Sequence, residues 1–271
     1  MIYGSLVLYR HSFREVEPLI NCFLSDHIDR TLFIVDNSPV DLISKFLTDS
    51  RIIYLSNNGA NLGFGAAHNI ALQESIRLNG SFHFVINPDV FFDSDIVDIM
   101  VKYMEINNNI GMMMPEVLNS DESIQRLPKL LPSPLSIFLR KFNLPFLFFS
   151  NFINKYELRQ VPRYTEYNSP VLSGCFTLLN LNAIKTVGLY DDRFFMYFED
   201  WDLSRRMHKS FKTIYFPSVS IFHGYESGAN KNFRLLYIFV TSAIKYFFKW
   251  GWFIDRERVD INKKAIEQFK I

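Results

Sequence analysis

Phe82-His83-Phe84-Val85-Ile86-Asn87-Pro88-Asp89 is a short, mostly apolar run that stops at an Asn-Pro step carrying one carboxylate. An apolar run bounded by a turn signal reads as a buried β-strand, and proline fixes the backbone just beyond it. Similar runs lie on either side, at Ile2–Tyr9, Thr31–Val35, Arg51–Leu55 and Ile110–Met114. Between them, Phe13–Leu24, Ala66–Leu78 and Asp95–Ile106 carry apolar residues at helical spacing. This alternation predicts an α/β fold with a doubly wound, mainly parallel sheet flanked by helices. Such sheets bind ligands outside the carboxyl ends of their strands. Asp36-Asn37 follows the second strand and Asn87-Pro88-Asp89 the fourth, so both acids fall on that edge.

Length and composition narrow the class. The 271 residues are 48% apolar, enough for one large domain or one domain with an appendage. A net charge of +1 and no arrayed arginine stripe argue against a nucleic-acid partner. Twenty-eight Phe and thirteen Tyr suggest a wet cleft, an apolar-lipid partner, or both. Cys22 and Cys175 are too few for a disulfide framework and favour a reducing compartment. The start, Met1-Ile2-Tyr3-Gly4-Ser5-Leu6-Val7, reads as a strand, without the basic region or cleavage site of a signal peptide. No uncharged apolar run reaches the roughly 18–20 residues of a spanning helix. These features predict a cytoplasmic main domain over 1–230, an insertion at about 127–164 rich in Pro, Phe and basic residues, and a helical, aromatic, basic segment over 231–271.

Four motifs carry chemistry. Asp36-Asn37 is either a turn or an acceptor for a base or ribose. Asn58 to Asn69, with Asn61, Gly63 and Gly65, is a glycine-rich turn into a helix that allows close approach of backbone to a ligand. It lacks the patterns of a P-loop or a dinucleotide fingerprint. Asn87-Pro88-Asp89 is a turn or a one-carboxylate site for Mg²⁺ or Mn²⁺, with diphosphate and water completing the coordination. Phe194-Phe195-Met196-Tyr197-Phe198-Glu199-Asp200-Trp201-Asp202-Leu203 sets three carboxylates against an aromatic wall. Acids suit a helix first turn, but that does not explain the aromatics beside them. On a helix starting here, Asp200 and Asp202 point about 200° apart. Glu199 and Asp202 share a face, and Asp200 alone projects into the cleft. Further on, Val171–Asn180 resumes regular structure, Thr213–Phe216 and Ser218–Phe222 read as strands, and His223 follows. That histidine is structural, or it completes a metal site with Asp89.

In this order, Asp36-Asn37, Asn61-Leu62-Gly63-Phe64-Gly65 with Asn69, Asn87-Pro88-Asp89, Leu172-Ser173-Gly174, Tyr197 to Leu203 and His223 resemble the inverting family 2 glycosyltransferases with the GT-A fold. The resemblance covers roughly residues 2–230. It is closest to bacterial dTDP-L-rhamnose-dependent rhamnosyltransferases of O-antigen and other surface-polysaccharide assembly. It implies that Asp36 holds the nucleotide base, that Asn37, Asn61, Gly63, Asn69, Asn87 and Gly174 border the nucleotide sugar, and that Asp89 and His223 hold Mg²⁺ or Mn²⁺. Asp200 is then the general base, with Glu199 and Asp202 in support. Asn87 stands where the wider family has the first acid of its metal motif, and the rhamnosyltransferase branch shares that change. The implied donor is dTDP-L-rhamnose, and the implied acceptor a glycan that can be polyprenyl-diphosphate-linked. A UDP-hexose donor on the same fold and a non-catalytic scaffold in polysaccharide assembly are the rivals.

Phe233–Ile254 is apolar and aromatic, interrupted by Arg234, Lys245 and Lys249. Those charges disfavour crossing a bilayer, while Trp250 and Trp252 suit a headgroup boundary. Arg140 and Lys141, beside Phe142–Phe149, supply a second basic patch. The segment therefore predicts peripheral contact with the inner face of a membrane, or else packing into the core or a dimer interface.

Overall fold

The computed structural model describes residues 1–25, 27–142, 147–224 and 233–269. Four parallel strands, β1 (Ile2–Leu8), β2 (Arg30–Asp36), β3 (Ile52–Ser56) and β4 (Phe82–Ile86), make one half of a nine-stranded sheet. Helices α1 (Phe13–Leu24), α2 (Phe64–Arg77) and α3 (Asp95–Ile106) cover its faces with buried residues such as Val16, Phe23, Leu72, Val97 and Met100. The other half holds β5 (Val90–Phe91), β6 (Ile110–Leu118), β7 (Tyr167–Asn168), β8 (Phe176–Asn180) and β9 (Lys212–His223). The spatial order is β3-β2-β1-β4-β8-β6-β9-β5, with β7 also paired to β9. Strand β8 runs antiparallel to both β4 and β6, so the sheet is mixed, though mostly parallel.

That reversal decides where the site lies. Because β8 is antiparallel, its leading end meets the carboxyl end of β4, and Asn87 N–H donates to the Cys175 carbonyl at 2.8 Å. The two short runs expected at Thr213–Phe216 and Ser218–Phe222 are one long strand, β9. Its register against β6 slips where Phe216 faces Pro115 and Ser220 faces Glu116. Pro217 lies in the slip, as a residue with no N–H to donate fits best where the ladder is broken. Beyond it, β9 turns antiparallel to β5 and pairs His223 with Val90.

Residues 127–164 form α4 (Pro134–Phe142) and α5 (Leu147–Tyr156) and bury Leu130, Leu131, Leu139, Tyr156 and Leu158, while Leu135 and Phe138 stay exposed. After β8 come α6 (Leu181–Val187) and α7 (Glu199–His208), and the chain closes with α8 (Phe233–Trp250) and α9 (Arg256–Glu267). Helix α8 packs onto the aromatic run. Phe194, Phe198, Trp201, Tyr246 and Phe247 form a small core with Leu131, Ile137 and Val171.

His68 belongs to a buried polar chain inside the β1–β4 half. Ser75 Oγ donates to the Ala71 carbonyl, so it accepts from His83 Nδ1 at 2.8 Å. Ser5 Oγ then donates to His83 Nε2 and accepts from His68 Nδ1, both at 2.7 Å. Burial holds both imidazoles neutral, with the His83 pKa lowered to about 3. His68 is thus a tie between helix and sheet.

Candidate active site

The β5–β9 pairing delivers His223 to Asp89: Nε2 stands 3.3 Å from Asp89 Oδ1, and Asn87 Nδ2 reaches the same nitrogen at 3.4 Å. Gln125 orients the ring. Its Nε2 donates to the His223 carbonyl at 2.9 Å and the Leu118 carbonyl at 3.5 Å, so its Oε1 accepts from His223 Nδ1 at 3.0 Å. A proton fixed on Nδ1 leaves the Nε2 lone pair turned toward Asp89. That nitrogen, which Asn87 Nδ2 reaches only at long range, and the Asp89 oxygen present two ligand atoms side by side. One carboxylate and one imidazole suit Mg²⁺ or Mn²⁺ when a ligand diphosphate and water supply the remaining positions. Among the described residues no three acids, histidines or cysteines gather around one point, so such an ion depends on its ligand.

Asp200 lies across the same cavity, at the start of α7. Its Oδ2 accepts from Gly174 N–H at 3.1 Å and its Oδ1 from Trp201 N–H at 2.9 Å. Burial raises its pKa to about 6 despite those two bonds. Glu199 also lines the cavity and is more strongly affected, because burial and the neighbouring Asp200 charge both push its pKa well up, and Oε2 finds no partner among the described residues. Two close buried carboxylates do not both ionise readily. Asp200 accepts two N–H bonds that favour its charged form and Glu199 Oε2 accepts none, which favours the proton on Glu199. Asp200 thus does not stand alone in the cleft, since Glu199 faces it rather than sharing the environment of Asp202.

The turn that aims Asp200 is strained. Tyr197 and Phe198, immediately before α7, have φ of 69° and 68°, the left-handed region that bulky residues avoid. Each such residue costs on the order of 1–3 kcal/mol and persists only where its surroundings over-determine it. Here Phe198 is 2% exposed among Trp201, Phe239 and Tyr246. From α8, Ser242 Oγ donates to the Met196 carbonyl at 2.9 Å and Lys245 Nζ to the Arg193 carbonyl at 2.6 Å. Asp202 is wholly buried and tied to Arg206 at 2.9 Å, Lys249 at 2.6 Å and Trp250 Nε1 at 2.8 Å. Arg205 grips Asp255 with two bonds of 2.7 and 2.8 Å. Asp202 and Arg205 bind α7 to the chain's last helices.

The remaining predicted residues brace the edge without lining the cavity. Asp36 is 3% exposed, and its carboxylate accepts from Ser38 N–H and Tyr54 Oη, both at 2.8 Å. Asn37 donates to Asn61 Oδ1 and the Gly63 carbonyl at 3.3 Å each, and accepts from Asn57 at 2.6 Å. Asn69 uses both ends of its amide on the Tyr190 backbone, at 2.8 and 3.0 Å. Gly63 has φ +84°, and a Cβ there would lie 2.0 Å from the Phe195 carbonyl oxygen. Phe64 N–H bonds that same oxygen at 2.8 Å, joining the glycine turn to the aromatic run.

Asn87, Asp89, Gly174, Glu199, Asp200 and His223 therefore share one cavity of about 560 Å³. Lys129, Arg140 and Lys141 line it too. Sequence reasoning missed Gln125 and Lys129. Neither sits in a motif, and each acquires its setting only when β9 and α7 fold against the segment after β6.

No family model matches the chain. It is 28% identical over 182 residues to the N-acetylglucosaminyl-diphospho-decaprenol L-rhamnosyltransferase of Mycobacterium tuberculosis, covering 63% of this chain and 58% of that one. The chain thus spans less than two thirds of that relative's length. It is 25% identical over 247 residues to rhamnosyltransferase WbbL of Escherichia coli K12, covering 86% of each. Among solved structures, GalNAc-T7 with UDP, GalNAc and Mn²⁺ superposes on 92% of this chain and 48% of its own, with a TM-score of 0.64 and 13% identity. Staphylococcus aureus TarS superposes on 98% of this chain and 43% of its own, at 0.57 and 9%. The fold is GT-A.

Proposed function

We propose that this chain is an inverting glycosyltransferase that moves a sugar from a nucleotide donor to a hydroxyl of a glycan acceptor. One observation carries the reading: a buried carboxylate poised near neutrality, Asp200, shares a single cavity with the Asp89–His223 pair. Asp200 would accept the proton of the acceptor hydroxyl as that oxygen attacks the anomeric carbon. The leaving nucleotide diphosphate departs from the opposite face, so a single displacement inverts the centre. Asp89 and His223 would hold Mg²⁺ or Mn²⁺, which when bound neutralises charge on the diphosphate. Asp36, Asn37, Asn61, Gly63 and Asn69 would shape the donor edge, as the struts of the loops that the nucleotide meets.

The donor favoured here is dTDP-L-rhamnose and the acceptor a lipid-linked glycan, supported by the similarity to two rhamnosyltransferases, one named for a diphospho-decaprenol acceptor. Work at the inner face of the cell membrane follows from such an acceptor. No helix among the described residues is long and apolar enough to cross a membrane. Helix α8, however, exposes Phe233, Tyr237, Val240, Ile244 and Phe248 at helical spacing. Lys245 and Lys249, which interrupt its sequence, bond inward to Arg193, Asp191 and Asp202. The outer face thereby suits the boundary of a bilayer.

A donor panel with Mg²⁺ or Mn²⁺, read by nucleotide diphosphate release, tests the reading. dTDP-L-rhamnose should be turned over fastest, and Asp200→Asn should lower turnover by roughly two to four orders of magnitude while nucleotide binding persists. Binding without turnover of any donor would favour a scaffold instead. Faster use of a UDP-hexose would move the donor assignment.

A further inference from the structure

Lys129 is 3% exposed, yet it lines the cavity. Its ammonium makes one long hydrogen bond, 3.5 Å to the Arg126 carbonyl, and stands 5.8 Å from the centre of the Trp201 ring. No carboxylate pairs with it among the described residues. A buried ammonium with no carboxylate in direct contact is costly. Burial and the nearby Arg140 charge lower its pKa to about 7, so the site holds a full positive charge best when an anion enters.

The same wall is basic further out. Arg140 and Lys141, on α4, line the cavity. Arg140 gives its Nε to Glu157 at 2.9 Å, and Lys141 lies 5.0 Å over the Phe239 ring. Glu157 is already shared with Arg159 at 2.6 Å, so the cations outnumber the acids here. Beside the cations the lining turns apolar, with Ile137 and Phe239, and α4 then exposes Leu135 and Phe138. Glu157 and Asp200 are the acids that act on Lys129, and of the two Asp200 lines the cavity. One cavity thus offers a ligand an acid, a group of cations and an apolar surface.

We propose that Lys129, Arg140 and Lys141 form a subsite for the diphosphate of a lipid-linked acceptor, separate from the Asp89–His223 site for the donor diphosphate. This rests on the transferase reading above and names the acceptor chemistry of that site. The acceptor's sugar reaches Asp200 and its lipid leaves along α4 and α8.

Two measurements test it, one without turnover. Farnesyl diphosphate is titrated against the wild-type protein by calorimetry, beside farnesol. Wild type should bind the diphosphate at least tenfold tighter than farnesol, and Lys129→Met and Arg140→Gln should each lose tenfold or more of that preference. Second, an N-acetylglucosaminyl diphosphate on a farnesyl chain is compared as acceptor with an octyl glycoside of the same sugar. The ratio of their kcat/KM values should fall at least tenfold in Lys129→Met. An unchanged ratio and preference would overturn the subsite while leaving the transferase reading intact. Loss of dTDP affinity in Lys129→Met would reassign Lys129 to the donor and overturn it equally. Farnesyl diphosphate binding without turnover of any donor would support the subsite and overturn the transferase. Lys129→Met exchanges an unpaired buried charge for an apolar side chain of similar length. It should melt no lower than wild type, so a loss of binding is not a loss of fold.

Discussion

Asp200 and Glu199 are one position apart in the chain but differ in their settings, since Asp200 accepts two N–H bonds and Glu199 Oε2 accepts none. With the proton on Glu199, turnover should rise with pH as Asp200 ionises and level off above an apparent pKa of about 6. Glu199→Gln mimics the protonated form and should keep more than about a tenth of wild-type turnover at pH 8. A larger loss would make Glu199 the base. Gln125 makes an equally local prediction. Gln125→Leu frees the His223 ring to turn, and ligands oriented through such partners typically lose 10- to 100-fold in metal affinity when the partner is removed. Mn²⁺ binding in the presence of dTDP, followed by the relaxation of water protons, should weaken by about that factor. Unaltered binding would mean that Asp89 suffices. Asp89, Asp200 and His223 could be singled out from sequence because each ends a strand or starts a helix. Gln125 and Lys129 could not, because their value comes from partners such as His223 and Trp201, some seventy or more positions away.

At the level of elements, the glycine turn and the aromatic run behave as one joint. Gly63 combines φ +84° with ψ −171°, a region essentially restricted to glycine, against the Phe195 carbonyl. Gly63→Ala should cost about 3 kcal/mol or more, measured by urea unfolding, and should lower turnover beyond what the lost stability explains by shifting the Phe195–Phe198 segment. Wild-type stability in that variant would show that the joint yields. The helical and strand periodicities marked β1–β4, β6 and α1–α3, but not β5, β7 or α4–α6. The reversal of β8 and the single bent β9 were not legible. Alternation of apolar residues does not encode strand direction, and Pro217 marks an interruption without revealing that the strand continues past it.

Over the whole molecule, α8 is apolar on two sides for two reasons. Its inner side, with Tyr246 and Phe247, packs beneath the turn before α7, and its outer side, with Ile244 and Phe248, faces solvent. The sequence left core packing and lipid contact as alternatives for this segment; Tyr246 and Phe247 are core, while Ile244 and Phe248 are exposed. Trp250, expected at a headgroup boundary, is instead half-buried, bonded to Asp202 and covered by Arg205 at 4.2 Å. Flotation with anionic liposomes should recover the wild-type protein, and Ile244→Asp with Phe248→Asp should abolish recovery without lowering the melting temperature. Phe247→Asp should unfold the chain at a lower temperature. Failure of wild type to float at low salt would refute membrane contact. The inner side of α8 also imposes an order of events during synthesis. Residues 194–202 leave the ribosome before the helix that straps them, so Tyr197 and Phe198 lack the packing that holds their strained backbone until α8 follows. The turn that aims Asp200 is therefore set only once α8 has been made and has docked.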